Sequence, residues 1–374
     1  LTPGKGIVEY AALAPDRDTI YYSGNFRDID RRHLWRVAVS GSAAPREITQ
    51  DEGIEWAPAP VVDSSTLVYL ASTYNEAAHA MVRIGRQAKA LAPEIVPSEF
   101  PASEFVKPQP VMITASDGLR VHGQLFLPRG EKGGRHPALV FVHGGSRRQM
   151  LLGFHYMDYY SNAYALNEYF ANHGYVVLSV NYRSGIGYGL DFREARHYGA
   201  AGASEFNDVV GAGLYLRSRP DVDPAHIGIW GGSYGGYLTA LALARASDLF
   251  AAGVDFHGVH DWSTLWNNVP AHLDPEEEKT FEKAKQVAFE SSPLAHVNTW
   301  RSPVLLIHGD DDRTVPFSQT VRLVEALRRQ HVPFEELILP NEIHVFLRHR
   351  DWVRAYQATA EFFDKKLGQA GSPE

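Results

Sequence analysis

Cysteine is absent from the 374 residues, which excludes disulfides and a thiol nucleophile. The absence does not place the protein, because neither the cytosol nor the periplasm requires cysteine. No apolar run approaches the ~20 residues that cross a bilayer, so no membrane partner is expected. Basic residues are in deficit: 36 Lys and Arg stand against 44 Asp and Glu, a net charge of −8, where a nucleic-acid partner would favour the opposite balance. H-E-x-x-H, a P-loop and a Rossmann glycine fingerprint are all missing, so no cofactor and no metal is expected. No signal peptide is visible, and the chain opens Leu1-Thr2-Pro3 without methionine, which suggests a start inside a longer polypeptide.

What is present is concentrated in a few stretches. With 44% hydrophobic residues the chain can bury one large core and a smaller unit. Gly231-Gly232-Ser233-Tyr234-Gly235 lies between an apolar run, His226-Ile227-Gly228-Ile229-Trp230, and a helix-forming run from Tyr237 to Arg245. This predicts strand, sharp turn and helix, with serine at the tip. Small neighbours let strand and helix come close and lift the hydroxyl clear, which makes Ser233 a candidate nucleophile.

A serine hydroxyl attacks poorly unless a histidine takes its proton and a carboxylate holds that histidine's tautomer. Two downstream stretches answer this need. Pro303 to Ile307 reads as a buried strand ending in His308-Gly309-Asp310-Asp311-Asp312-Arg313-Thr314-Val315-Pro316, which puts carboxylates on a strand-end loop. Glu335 to Leu339, a second short strand, leads into Pro340-Asn341-Glu342-Ile343-His344-Val345-Phe346 and then the last helix. The order Ser, Asp, His is that of α/β-hydrolases. Composition alone leaves Asp310, Asp311 and Asp312 as rivals for the acid. His257-Gly258-Val259-His260-Asp261 has a spacing a metal could use, but two histidines without a third ligand make a poor site. His308 reads as a hydrogen-bonded structural residue.

Further stretches carry a resemblance. Phe141-Val142-His143-Gly144-Gly145, Val180-Asn181-Tyr182-Arg183 with Gly187-Tyr188-Gly189, Asp223-Pro224 through Gly-Gly-Ser-Tyr-Gly-Gly-Tyr237, and His308-Gly309-x-x-Asp312-x-x-Val315-Pro316 together resemble the prolyl oligopeptidase family of serine peptidases, over about residues 106–374. That family includes dipeptidyl and acylaminoacyl peptidases. The resemblance implies Ser233 as nucleophile, Asp312 as acid (fifth position of H-G-x-x-D) and His344 as base. It also implies Tyr234, Trp262, Trp266 and Val315 around the primary specificity pocket, although an i, i+4 tryptophan pair also reads as core packing.

An oxyanion needs two preorganised donors. The Tyr234 amide follows the nucleophile, and the His143-Gly144-Gly145 turn supplies the other. The family's dipeptidyl peptidases and cytosolic oligopeptidases carry a tyrosine hydroxyl where this chain has His143. The second donor expected here is therefore the Gly145 amide, as in the acylaminoacyl branch. The tyrosine-rich stretch from Phe154 to Tyr169 reads as a helix packed on the sheet.

The expected fold class is α/β: an α/β-hydrolase fold with a mostly parallel, doubly wound sheet over 106–374, preceded by a partial β-propeller over 1–105. The first region shows short strands (Thr19 to Ser23, Leu34 to Val39, Gly53 to Ala57, Leu67 to Ala71, Ala80 to Ile84) with a repeat of about 47 residues. Two blades cannot close a ring, so an upstream segment of the same protein is expected to carry the rest. Pro93 to Pro110 reads as the linker. The function expected is hydrolysis of short peptides through an acyl-enzyme, with a homo-oligomer left open. The rivals are a carboxylesterase, which would share the same residues, and a non-catalytic propeller binding protein.

Overall fold

A computed structural model describes residues 6–61, 66–130, 133–265 and 275–368. Two antiparallel four-stranded sheets come first. Strands β1 (Val8–Leu13), β2 (Thr19–Gly24), β3 (His33–Ala38) and β4 (Arg46–Glu47) form one, and β5 (Ile54–Pro60), β6 (Thr66–Ser72), β7 (His79–Ile84) and β8 (Gln87–Ala90) the other. The repeat predicts this equivalence: β2 and β3 recur as β6 and β7. Alternation turns Tyr21, Leu34, Leu67, Tyr69 and Ala71 into one buried cluster shared by both sheets. The unpredicted strands β1, β4 and β8 are short or largely exposed, so they carry little of the buried alternation that marks a strand.

The proline-rich segment is not a free tether. Phe100 and Phe105 pack on Phe154, with ring centroids 6.1 and 5.3 Å away, and the Val106 amide donates to Glu168 Oε2 at 2.8 Å. Glu168 is buried and accepts a second bond, from the Tyr164 hydroxyl at 2.9 Å. Burial raises its carboxyl to about 7 against these two bonds. Between the ordinary value near 4.5 and about 7 the folded state then binds more protons than the unfolded one, so rising pH destabilises the fold through this group, by at most about 3 kcal/mol. In Glu168→Gln the amide oxygen can accept from the Val106 N–H and the NH₂ can donate to the Tyr164 hydroxyl, which keeps its donation to the Tyr74 carbonyl, so both contacts persist without the charge. Thermal melts should show the variant gaining on the wild type between pH 5 and pH 8, and a gap that does not change with pH would refute the assignment.

The remaining strands form one eight-stranded sheet: β9 (Gln109–Thr114), β10 (Arg120–Phe126), β11 (His136–Val142), β12 (Val176–Asn181), β13 (Val222–Gly232), β14 (Ala252–Phe256), β15 (Val304–Gly309) and β16 (Phe334–Leu339), in the spatial order β16-β15-β14-β13-β11-β12-β10-β9. The hairpin β9–β10 and the pair β10–β12 are antiparallel, and every pairing from β11 to β16 is parallel. Helices α1 (Asp158–Asn172), α2 (Leu190–Arg193), α3 (Phe206–Arg217), α4 (Tyr234–Arg245), α5 (Pro275–Glu290), α6 (Ser318–Arg329) and α7 (His349–Leu367) make or follow the crossovers.

Central strands are buried on both faces and so read as continuous apolar runs. Val140, Leu178, Ile229 and Leu306 enter one core with α3, α4 and α6, while Leu139, Phe141, Val177, Leu305 and Ile307 enter the other with α1 and α7. The order reverses at β11, whose two neighbours are β12 and β13. A crevice at the carboxyl ends of strands flanking such a reversal is where doubly wound sheets bind ligands. The segment that follows β11 also ties this sheet to the first two: Gln149 Nε2 donates to the Ile29 carbonyl at 2.7 Å, Tyr156 donates to Glu9 Oε1 at 2.9 Å, and Ser72 Oγ of β6 donates to the Phe154 carbonyl at 2.6 Å.

Candidate active site

Four strand ends meet at that crevice. β13 runs into α4 through Ser233, whose backbone sits at φ 59°, ψ −118°. A side chain at positive φ is strained, and the surroundings hold it there: a Cβ on Gly231 or Gly235 would run into the Val142 carbonyl oxygen, so only glycine lets the turn close against β11. The Ser233 amide donates to the Phe256 carbonyl at 2.8 Å, which ties the turn to β14 as well.

β15 delivers Asp312 and β16 delivers His344. His344 Nε2 lies 2.9 Å from Ser233 Oγ, and His344 Nδ1 lies 2.6 Å from Asp312 Oδ2. Asp312 is buried and accepts from every side: His308 Nε2 at 3.1 Å also reaches Oδ2, while the Thr314 and Val315 amides donate to Oδ1 at 2.8 and 2.9 Å. Burial on its own would raise this carboxyl, but the bonds from His308, His344 and Val315 hold it well below the ordinary carboxylate range. His308 is fixed in turn by Thr320 Oγ1, 2.7 Å from its Nδ1. The rival carboxylates lie elsewhere. Asp311 is exposed and pairs with Arg313 at 3.0 Å, and Asp310 Oδ1 accepts from the Asn341 amide at 2.6 Å.

β11 ends in the glycine turn. A Cβ on Gly144 would stand 3.3 Å from the Ser233 Cβ, so this turn lies against the serine. Gly145 follows at φ 64°, and among the described residues neither its amide nor that of Tyr234 donates to a protein acceptor. The His143 ring is fully buried, stacked on Tyr182 with centroids 4.2 Å apart, and burial lowers it to about 4, so it is neutral.

The Tyr234 side chain turns away from the serine to donate to buried Glu205 Oε1 at 2.6 Å. Trp262 is half-buried against Tyr234 and Tyr237, at 5.7 and 5.2 Å, and packs on the core. Val315 is buried in the core. Trp266 lies outside the described residues. The tyrosine-rich stretch packs on the sheet through α1, and its Tyr159 also reaches the site. Two residues that the sequence reading does not assign to the site stand behind the base, His257 against it and Tyr159 against His257. Tyr159 lies 3.2 Å through its hydroxyl from His257 Nε2, and the His257 ring centroid is 4.3 Å from that of His344. His257 is the first residue past β14, and that strand-end position was the available signal. His260, the other half of the supposed metal pair, instead bonds Asp255 Oδ2 at 2.6 Å.

Sheet order and strand-end site together define an α/β-hydrolase fold, and solved structures agree. A Mycobacterium tuberculosis puromycin-hydrolyzing peptidase superposes with a TM-score of 0.81 at 24% identity, over 98% of this chain and 57% of that one. A Pyrococcus horikoshii acylaminoacyl peptidase gives 0.79 at 22%, over 99% and 58%. The profile of the prolyl oligopeptidase family matches residues 162–370, and the chain belongs to that family of serine-type peptidases. Among curated relatives, dipeptidyl aminopeptidase BIII of Pseudoxanthomonas mexicana is 29% identical over 280 residues, 71% of this chain and 39% of the relative. Human dipeptidyl peptidase 8 is 29% identical over 265 residues, 67% of this chain and 27% of that protein. The chain thus matches well under half the length of these relatives.

Proposed function

We propose that this chain is the catalytic part of a serine peptidase that hydrolyses short peptides through an acyl-enzyme. The observation that carries the reading is the unbroken hydrogen-bonded series Ser233–His344–Asp312 at the sheet's switch point. In this mechanism His344 Nε2 takes the proton from Ser233 Oγ as the oxygen attacks the scissile carbonyl. Asp312 holds the Nδ1–H tautomer and stabilises the imidazolium. The Tyr234 and Gly145 amides donate to the oxyanion. His344 then protonates the leaving amine, and water repeats the cycle on the ester.

Trp262, beside Tyr234, is proposed to form a wall of an apolar primary pocket, with Val315 as further lining. Residues 106–374 are read as the peptidase domain and 1–105 as a partial β-propeller of two blades. Their identical strand order and recurrence support that reading. A ring of 4 to 8 blades would need more sheets, for which the match to 57% of a solved relative leaves room.

The test is fluorophosphonate labelling followed by cleavage of peptide anilides with free and acetylated amino termini, beside short acyl esters. Labelling at Ser233 with anilide cleavage is the expected result. Turnover of esters alone would overturn the peptidase reading, and the preferred terminus separates acylaminoacyl from dipeptidyl substrates.

A further inference from the structure

His257 is a polar group against the base for which the mechanism has no use. Its backbone sits at φ 41° and its side chain is 1% exposed. Nε2 faces the Tyr159 hydroxyl, and Nδ1 is buried with no hydrogen-bond partner among the described residues. A polar atom orphaned this deep is costly to bury, so its presence asks for a reason. Around it lie Phe346, at 5.6 Å between ring centroids, and the rings of His344 and His308. Burial, reinforced by the neighbouring His344 and His308, pushes its imidazole well below the ordinary histidine range and keeps it neutral with a lone pair to offer.

One atom each of His257, His344 and Asp312 lies within 4.8 Å of the others. Two neutral imidazoles and a carboxylate are a common donor set for a tetrahedral divalent metal, which leaves a fourth position open. With metal–ligand bonds of about 2.0–2.2 Å, tetrahedral ligands stand about 3.4 Å apart, so separations of up to 4.8 Å have to close by at most about 1.4 Å, while through Nδ1 the His344–Asp312 pair, hydrogen-bonded at 2.6 Å, has to open by about 0.8 Å. We propose that His257, His344 and Asp312 form a reversible inhibitory site for a divalent transition metal, with Zn²⁺ the ion its donors suit.

Occupancy and catalysis exclude one another. A metal on His344 Nε2 takes the lone pair that accepts the Ser233 proton. A metal on Nδ1 displaces the proton there to Nε2, with the same result. The inference rests on the reading of these residues as the catalytic triad, but metal binding can be followed without turnover.

Ser233→Ala protein, which keeps all three ligands, should develop the visible absorption of four-coordinate Co²⁺, and Zn²⁺ should displace it. The double variant with His257→Gln, which retains a partner for Tyr159, should lose that spectrum. In the wild type, tens of micromolar Zn²⁺ should slow fluorophosphonate labelling at least tenfold, and EDTA should restore it. His257→Gln, compared with its own metal-free rate, should need at least tenfold more Zn²⁺, and His257→Asn serves if the glutamine variant does not fold. Equal Zn²⁺ sensitivity in wild type and variant, or no Co²⁺ spectrum in Ser233→Ala, overturns the proposal. Failure of metal-free wild type to label at all counts against the triad instead, and the Co²⁺ spectrum still decides the metal site.

Discussion

Alanine at position 233 is expected to lower kcat on a peptide anilide by about 10⁶ and to abolish fluorophosphonate labelling, with little change in KM. Without Oγ there is nothing for His344 Nε2 to activate across its 2.9 Å contact, and the two oxyanion amides have no covalent intermediate to stabilise. The fold should not suffer. The turn is held by a backbone bond, Ser233 N to the Phe256 carbonyl, and by glycines at 231 and 235, none of which involves the hydroxyl. Alanine tolerates positive φ no worse than serine does, so the melting temperature should move by no more than about 2 °C. A variant that melts normally yet keeps more than about a hundredth of wild-type kcat would remove Ser233 from the mechanism. Loss of activity together with loss of fold would instead place its role in the turn.

The strand-end positions of Ser233, Asp312 and His344 were legible because each follows a short apolar run closed by a turn, and parallel strands bring their carboxyl ends to one edge whatever lies between. The same logic reaches His257 at the end of β14. The spacing of His257 and His260 hides this, because it suggests two rings that share a face. The chain there leaves the strand at φ 41°, and the rings diverge, one toward His344 and the other to Asp255. Spacing predicts shared direction only inside regular structure. The anchoring of Phe100 and Phe105 on Phe154 was illegible for another reason: proline content announces an irregular backbone but says nothing about what its aromatic residues touch. Trp262 shows the limit of a choice between core and pocket, since a residue that packs on the core can still be only half-buried.

Asparagine at position 312 should cost about 10⁴ in kcat, although it replaces one oxygen with a nitrogen of nearly equal size. Wild-type Asp312 accepts four bonds and donates none. An amide can keep its oxygen on the Thr314 and Val315 amides, but its NH₂ then faces the N–H groups of His308 and His344. His308 is pinned by Thr320 and the Val315 carbonyl and cannot turn away. The conflict is therefore relieved at His344, which is 15% exposed and takes the tautomer protonated on Nε2. That tautomer cannot accept the serine proton. Asp311→Asn, on an exposed carboxylate that pairs with Arg313, should change kcat less than twofold and serves as the control. A stability signature separates the two substitutions further. Because the folded-state pKa of Asp312 is depressed, its ionised form stabilises the fold at every pH above the unfolded value near 3.9, and that contribution fades as pH falls toward the folded value. The melting-temperature gap between wild type and Asp312→Asn should therefore be widest near pH 8 and shrink near pH 3. A gap independent of pH, or a kcat within tenfold of wild type, would show that the carboxylate is not the partner that holds the base.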